Sequence, residues 1–141
     1  MSADRTWKIE AACAAWEAEH LEGVIADFAD DVEFRVHAPA DAASFIGGGR
    51  GRDELARRLA DYLSIIKVMY YEPQLPLTQA REGVLRCRAH FVYRHRAKSL
   101  EIEGSMRHLW HFARDKVTRF DVYYDALRMR AFYDLIENVA V

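Results

Sequence analysis

The chain has 141 residues, with 20 Lys and Arg against 22 Asp and Glu, a formal net charge of −2. That length suits one domain over 1–141, able to bury roughly 70% of its unfolded surface without a disulfide or metal staple. The near-balanced charge excludes a mainly electrostatic nucleic-acid binder, and no run approaches the roughly 18 apolar residues of a membrane span.

The start, MSADRTWKIEAACAAW, lacks a basic region followed by an unbroken apolar run. No secretory signal is read there, and a soluble, cytoplasmic protein is expected. Ile9, Ala12, Cys13 and Trp16 fall at i, i+3, i+4 and i+7 and predict a first helix, capped by Ser2 or Asp4. Leu21, Val24, Ile25 and Phe28 repeat the spacing in a second, shorter helix. Asp31–His37 alternates, with Val32, Phe34 and Val36 on one side, and predicts a strand. Ala38–Gly51 is rich in Ala and Gly and predicts a loop. Its GGGRG run lacks the phosphate-cradle pattern and the strand–loop–helix setting that such a cradle needs.

A third helix is expected over Arg52–Ile66, with Leu55, Leu59, Tyr62, Leu63 and Ile66 on its apolar side. Val68–Thr78 is strand-like but carries Pro73 and Pro76, so it belongs at a sheet edge or bulges. Val84–His95 alternates Leu85, Cys87, Ala89, Phe91 and Tyr93 against Arg86, Arg88, His90, Val92 and Arg94. After a turn near Ala97–Lys98, Leu100–Phe112 places Leu100, Ile102, Gly104, Met106, His108, Trp110 and Phe112 on one face. Lys116–Tyr124 predicts a further strand and Ala126–Glu137 a last helix, capped by Asp125. Helices followed by an antiparallel meander make an α+β fold, a curved sheet whose concave side encloses a pocket under the helices.

Cys13 and Cys87 form no metal or redox motif and are read as buried thiols. His108 and His111, three apart on a strand, point to opposite faces and cannot chelate one ion together, and neither can His90 with His95. No metal and no cofactor is expected. His108 is a lone titratable group on an apolar face, a candidate for acid–base chemistry or ligand contact. A hairpin centred on Ala97–Lys98 puts Cys87 opposite His108, which also allows a plain core histidine, and puts Arg94 opposite Glu101.

Four segments carry a family resemblance: FADDVEFRV at Phe28–Val36, GRGRDEL at Gly49–Leu55, HLWHFARDKVTRF at His108–Phe120, and YYD at Tyr123–Asp125. With their order, they make the chain resemble the nuclear transport factor 2-like superfamily, most of all its SnoaL-like and ketosteroid-isomerase-like members. The resemblance implies a cone-shaped half-open barrel, an apolar pocket and homodimers. The functions it implies range over isomerases, cyclases, dehydratases, epoxide hydrolases and non-catalytic binding modules.

Ketosteroid isomerases use an aspartate base with a tyrosine and a protonated aspartic acid as oxyanion donors. Ungapped, those positions fall on Val36, Ala12 and His108, so the familiar isomerase set is not reproduced. A one-residue slip brings His37 to the base position. The acid that cyclases and epoxide hydrolases carry on the last strand falls on Val122, with Asp121 one place earlier. If Phe120, Val122 and Tyr124 face inward, Asp121 faces out; a two-residue turn at Arg114–Asp115 would flip that parity. The apolar Phe120 and Val122 favour the first register.

The candidate catalytic residues are thus His108, Asp121 and His37. The candidate substrate-lining residues are Trp16, Val36, Tyr62, Cys87, Phe91, Trp110, Val122 and Tyr124. The expected partners are a small apolar or aromatic molecule, and a second copy bound through the outer sheet face around Val92, Leu109 and Tyr123. Neither nucleic acid nor membrane is expected. An enzyme acting by proton transfer or water addition, a non-catalytic binding module, and an accessory subunit resembling the small subunit of ring-hydroxylating dioxygenases all stay open.

Overall fold

A computed structural model describes residues 3–37, 47–98 and 100–124, with side chains at 3, 4 and 124 left aside. The Ser2 and Asp4 caps, most of the Ala38–Gly51 loop, the Ala126–Glu137 helix and the Tyr124 side chain lie outside the described residues. The elements run α1 (Ala3–Glu17), α2 (Leu21–Val24), β1 (Phe28–His37), β2 (Gly48–Arg50), α3 (Arg52–Ile65), β3 (Ile66–Arg81), β4 (Val84–His95), β5 (Glu101–Ala113) and β6 (Lys116–Tyr124). The six strands form one sheet in the order β2-β1-β6-β5-β4-β3. The meander β3–β6 is antiparallel as expected, and β1 joins it parallel to β6. The chain leaves β1 through α3 and the meander before β6 returns beside it, and that long crossover permits parallel pairing. The second helix is shorter than its spacing predicts, since α2 stops at Val24 and Phe28 opens β1. Part of the Gly-rich stretch is also not loop, because Gly48–Arg50 pairs antiparallel with β1.

The apolar stripe of α1, Ile9, Ala12, Cys13 and Trp16, is buried with Leu55, Leu59, Tyr62 and Leu63 of α3 against the inner faces of the strands. Helix α1 ends with Glu19 in a left-handed conformation, φ 59°. There His20 N–H donates to Ala15 O at 2.8 Å and Glu19 N–H to Trp16 O at 3.0 Å, the paired bonds of a Schellman end. Glycine would take that conformation at less cost, but Glu19 uses its carboxylate. It accepts from Val68 N–H at 3.0 Å and from Arg96 at 2.6 Å. Glu17 accepts from Tyr71 N–H at 2.9 Å. The end of α1 thereby covers free N–H groups of the edge strand β3, which would otherwise invite pairing with another chain.

The β4–β5 register has the expected pairs, Cys87 opposite His108 and Arg94 opposite Glu101. Two bulges then decide which side chains face inward. In β3, Val68 pairs Tyr93 but Tyr70 pairs Val92, so Met69 is an extra residue. Were Met69 paired in a regular ladder, Tyr70 would turn inward; with the bulge Tyr70 is exposed and Tyr71 is buried. In β6, Ala113 pairs Lys116 across a two-residue turn, Phe112 pairs Val117, and His111 then pairs Arg119. Thr118 is the extra residue, and its hydroxyl donates to His111 O at 3.3 Å. The short turn alone would have carried Asp121 inward; the bulge restores Val122 opposite His108.

Deleting Thr118 should therefore remove the bulge and leave a regular ladder, with Val117 still opposite Phe112, Arg119 opposite His111 and Val122 inward. The expected outcome is a cooperative urea transition, followed by far-ultraviolet circular dichroism, with a midpoint near that of the wild type. Loss of that transition would show that Thr118 does more than reset the phase.

Candidate functional site

Strand β5 carries His108 into the interior, where it is 1% exposed. Trp110 Nε1–H donates to its Nδ1 at 3.1 Å, and its Nε2 lies 2.6 Å from Tyr71 Oη. Indole N–H can only donate, so Nδ1 is the acceptor nitrogen. The neutral imidazole then carries its proton on Nε2 and donates it to Tyr71 Oη. The proton of Tyr71 is left for Met106 Sδ, 3.0 Å away, a weak acceptor. The chain Trp110→His108→Tyr71→Met106 is satisfied at each step and ends on its weakest partner. The Tyr71 and His108 rings lie nearly parallel, 4° between planes. Beneath them the Cys13 thiol is pushed up, first by its hydrogen bond to Cys87 and then by burial.

His108, Tyr71, Met106 and Trp110 line a cavity of about 70 Å³, closed elsewhere by apolar side chains including Trp16, Val36, Phe120 and Val122. Tyr93 and Cys13 also reach it, and the exposed Arg35 stands at its rim. No carboxylate is among its described lining residues. Trp16 Nε1–H donates to Tyr93 Oη at 3.0 Å, which holds that wall in place.

A second polar cluster lies on the other face of the sheet. The parallel pairing of β1 with β6 sets Arg35 beside Asp121 and His37 beside Tyr123. His37 Nε2 is 2.9 Å from Asp121 Oδ1, Arg119 Nε donates to Oδ2 at 2.8 Å, and His111 Nε2 is 3.8 Å from Oδ2. The His37 ring stacks on Tyr123, centroids 4.2 Å apart. Asp121 is 3% exposed. Burial works against its ionisation, but the hydrogen bonds from Arg119 and His37 outweigh it and hold the carboxyl below its ordinary range. Burial likewise lowers His111, against the pull of Asp121.

The sequence candidates therefore divide by location. His108, Trp16, Val36, Trp110 and Val122 line the cavity. Tyr62, Cys87 and Phe91 are fully enclosed in the core and do not border it. Asp121 and His37 are brought together, but on the outer face and bonded to each other rather than to His108. Sequence reasoning missed Tyr71 and the part played by Met106. Strict alternation from Val68 points Tyr70 inward, and nothing in VMYYE marks Met69 as a bulge. Among the described residues, no group of three or more His, Cys, Asp or Glu is placed to hold a metal ion. No described helix is long and apolar enough to cross a membrane.

The model of the SnoaL-like domain matches residues 9–120. The chain belongs to the SnoaL-like family. Solved structures agree with that in fold. An NTF2-like protein from Burkholderia thailandensis superposes with a TM-score of 0.74 at 17% identity, over 89% of this chain and 94% of the other. A protein with a ketosteroid isomerase-like fold from Catenulispora acidiphila, in complex with trimethylamine, gives 0.71 at 18% identity, over 86% and 88%. TerC co-crystallised with polyporic acid gives 0.73 at 18% identity, over 92% and 95%. At these identities they show a shared fold and nothing finer. Among curated proteins none matches. Within this SnoaL-like chain both carboxylate oxygens of Asp121 are taken up by neighbours.

The sign of its pH dependence follows. A carboxyl lowered in the folded state adds stability above its unfolded value near 4, and that stability fades as pH falls through the folded value. Asp121→Asn should cost about 1–3 kcal/mol in urea unfolding at pH 7. The gap from wild type should narrow at pH 3. Equal gaps at both pH values would show that the charge of Asp121 adds nothing.

Proposed function

We propose that this chain is a cofactor-independent enzyme acting on a small, largely apolar molecule that bears a carbonyl or hydroxyl oxygen. The reaction class is isomerisation or dehydration, with cyclisation and hydrolytic ring opening as variants of the same oxygen activation. The observation that carries the reading is the 2.6 Å contact between His108 Nε2 and Tyr71 Oη at the wall of the cavity.

Tyr71 is the group that meets the substrate. Its hydroxyl donates to the Met106 thioether, a weak acceptor. A substrate oxygen is a stronger acceptor, so the hydroxyl turns to it at little cost and donates as charge develops there. His108 keeps its own proton, because Trp110 already occupies Nδ1; losing the Nε2 proton would leave an imidazolate. Its N–H instead stabilises the phenolate character that Tyr71 gains as it donates. His108 is thus a hydrogen-bond donor through Tyr71 rather than a base. The apolar surroundings strengthen both bonds, since little water competes. A cavity of about 70 Å³ holds a very small molecule or the reacting end of a larger one.

A non-catalytic binding module is the second reading, favoured by the lack of a carboxylate among the described lining residues. The test separates the two. A panel of small alicyclic and aromatic ketones and tertiary alcohols is screened for binding by NMR and for turnover by mass spectrometry. The expected result is turnover that falls by about 10²-fold or more in Tyr71→Phe while binding changes little. Turnover unchanged in Tyr71→Phe would overturn the assignment, and binding without turnover across the panel would support the module.

A further inference from the structure

The chain contains two cysteines, Cys13 and Cys87. No spacing motif joins them, since one belongs to α1 and the other to β4. Packing nonetheless brings them together. Cys13 sits on the buried stripe of α1, and Cys87 faces inward from β4, directly opposite His108. The Cys13 thiol donates a hydrogen bond to the Cys87 sulfur. The two residues are 2% and 0% exposed, and both are free thiols. The chemistry proposed at Tyr71 uses neither of them.

Their surroundings differ in one respect. Cys13 borders the cavity of about 70 Å³, whereas Cys87 does not. A molecule in the cavity therefore meets the Cys13 sulfur first. The space takes a few waters, so it admits an oxidant the size of hydrogen peroxide and excludes one as large as glutathione disulfide. A thiol oxidised alone stops at the sulfenic acid or runs on to irreversible acids. Here a second sulfur is already in contact and can resolve the first product.

The geometry points to Cys13 and Cys87 as a redox pair, converted by a small peroxide in the cavity into a disulfide that ties α1 to β4. Cys13 Sγ attacks one oxygen of hydrogen peroxide and the O–O bond breaks. The Cys13 proton leaves with the departing hydroxide as water, and Cys13 becomes a sulfenic acid. Cys87 Sγ then attacks the Cys13 sulfur, the S–O bond breaks and the S–S bond forms. The Cys87 proton leaves with that hydroxide as a second water. Two thiols are oxidised and one peroxide is reduced to two waters. The link closes a loop of about 70 residues, and long loops gain most from closure. Strand β4 is paired on both sides, by β3 and β5, so α1 is the element that adjusts, and the cavity wall that Cys13 and Trp16 supply adjusts with it. The inference does not rest on the reaction proposed at Tyr71 and His108.

The test treats the full reduced chain with hydrogen peroxide under native conditions, then denatures it in an alkylating agent and maps the peptides by mass. The expected product has lost two hydrogen atoms, takes up no alkyl group, and joins the Cys13 and Cys87 peptides within one chain. Its melting temperature should rise by about 5 °C or more and return on reduction with dithiothreitol. In Cys87→Ser, Cys13 should stop at a sulfenic acid that dimedone traps. In Cys13→Ser, Cys87 should stay a thiol, because the peroxide has no sulfur to meet at the cavity wall. The wild-type measurement needs neither variant to fold. Three results would overturn the proposal: a folded chain that keeps both thiols, a bridge between two chains, or a bridge formed as fast by glutathione disulfide as by peroxide.

Discussion

Side-chain parity along the strands is the constraint on which the rest of this structure depends. A strand sends alternate residues to opposite faces, and here one face packs under the helices while the other carries most of the sheet's charges. Strict alternation would have set both key strands wrongly. It would bring Tyr70 inward in place of Tyr71, and after a two-residue turn it would bring Asp121 inward in place of Val122. One extra residue in each strand, Met69 and Thr118, resets the phase. The cavity and its polar chain exist because those two corrections fall where they do.

The two buried polar centres show the same economy in different chemistry. His108 is enclosed, and its nitrogens are served by Trp110 and Tyr71. Asp121 is enclosed just as fully, but as an anion, and it gathers Arg119 and His37 around it. A buried neutral group needs only partners of the right donor or acceptor type, whereas a buried charge needs partners of opposite sign. The apolar face meets the first condition and the charged face the second. This division keeps His108 and Asp121, on adjacent strands, from pairing with each other.

Much of the fold was legible from residue pattern. The β4–β5 register followed from one turn position, because two clean alternating runs joined by a short connection leave little freedom. That placed Cys87 opposite His108 and Arg94 opposite Glu101. The helical stripe of α1 and the limits of β4 and β6 were equally legible. The end of the second helix was not, because Phe28 serves a helical spacing and an inward strand position equally well. Nor was the parallel partnership of β1 with β6, which joins residues about ninety apart in sequence and has no local signature. Of the site, His108 and Trp110 were visible as inward residues of one strand. Tyr71 was not, since its direction depends on a bulge.

The sequence by itself determined the α+β class, the family resemblance, and a lone histidine on the apolar face of a strand. Those features are carried by periodicity and by segment order, which are local or nearly so. Only the tertiary structure decided what that histidine does. Its tautomer depends on Trp110, two residues away on the same strand, and its partner Tyr71 comes from a strand that meets it across the inner face, with β4 between them. Hydrogen-bond direction depends on which atoms approach within about 3 Å, and that distance belongs to the packed sheet and to no stretch of chain alone.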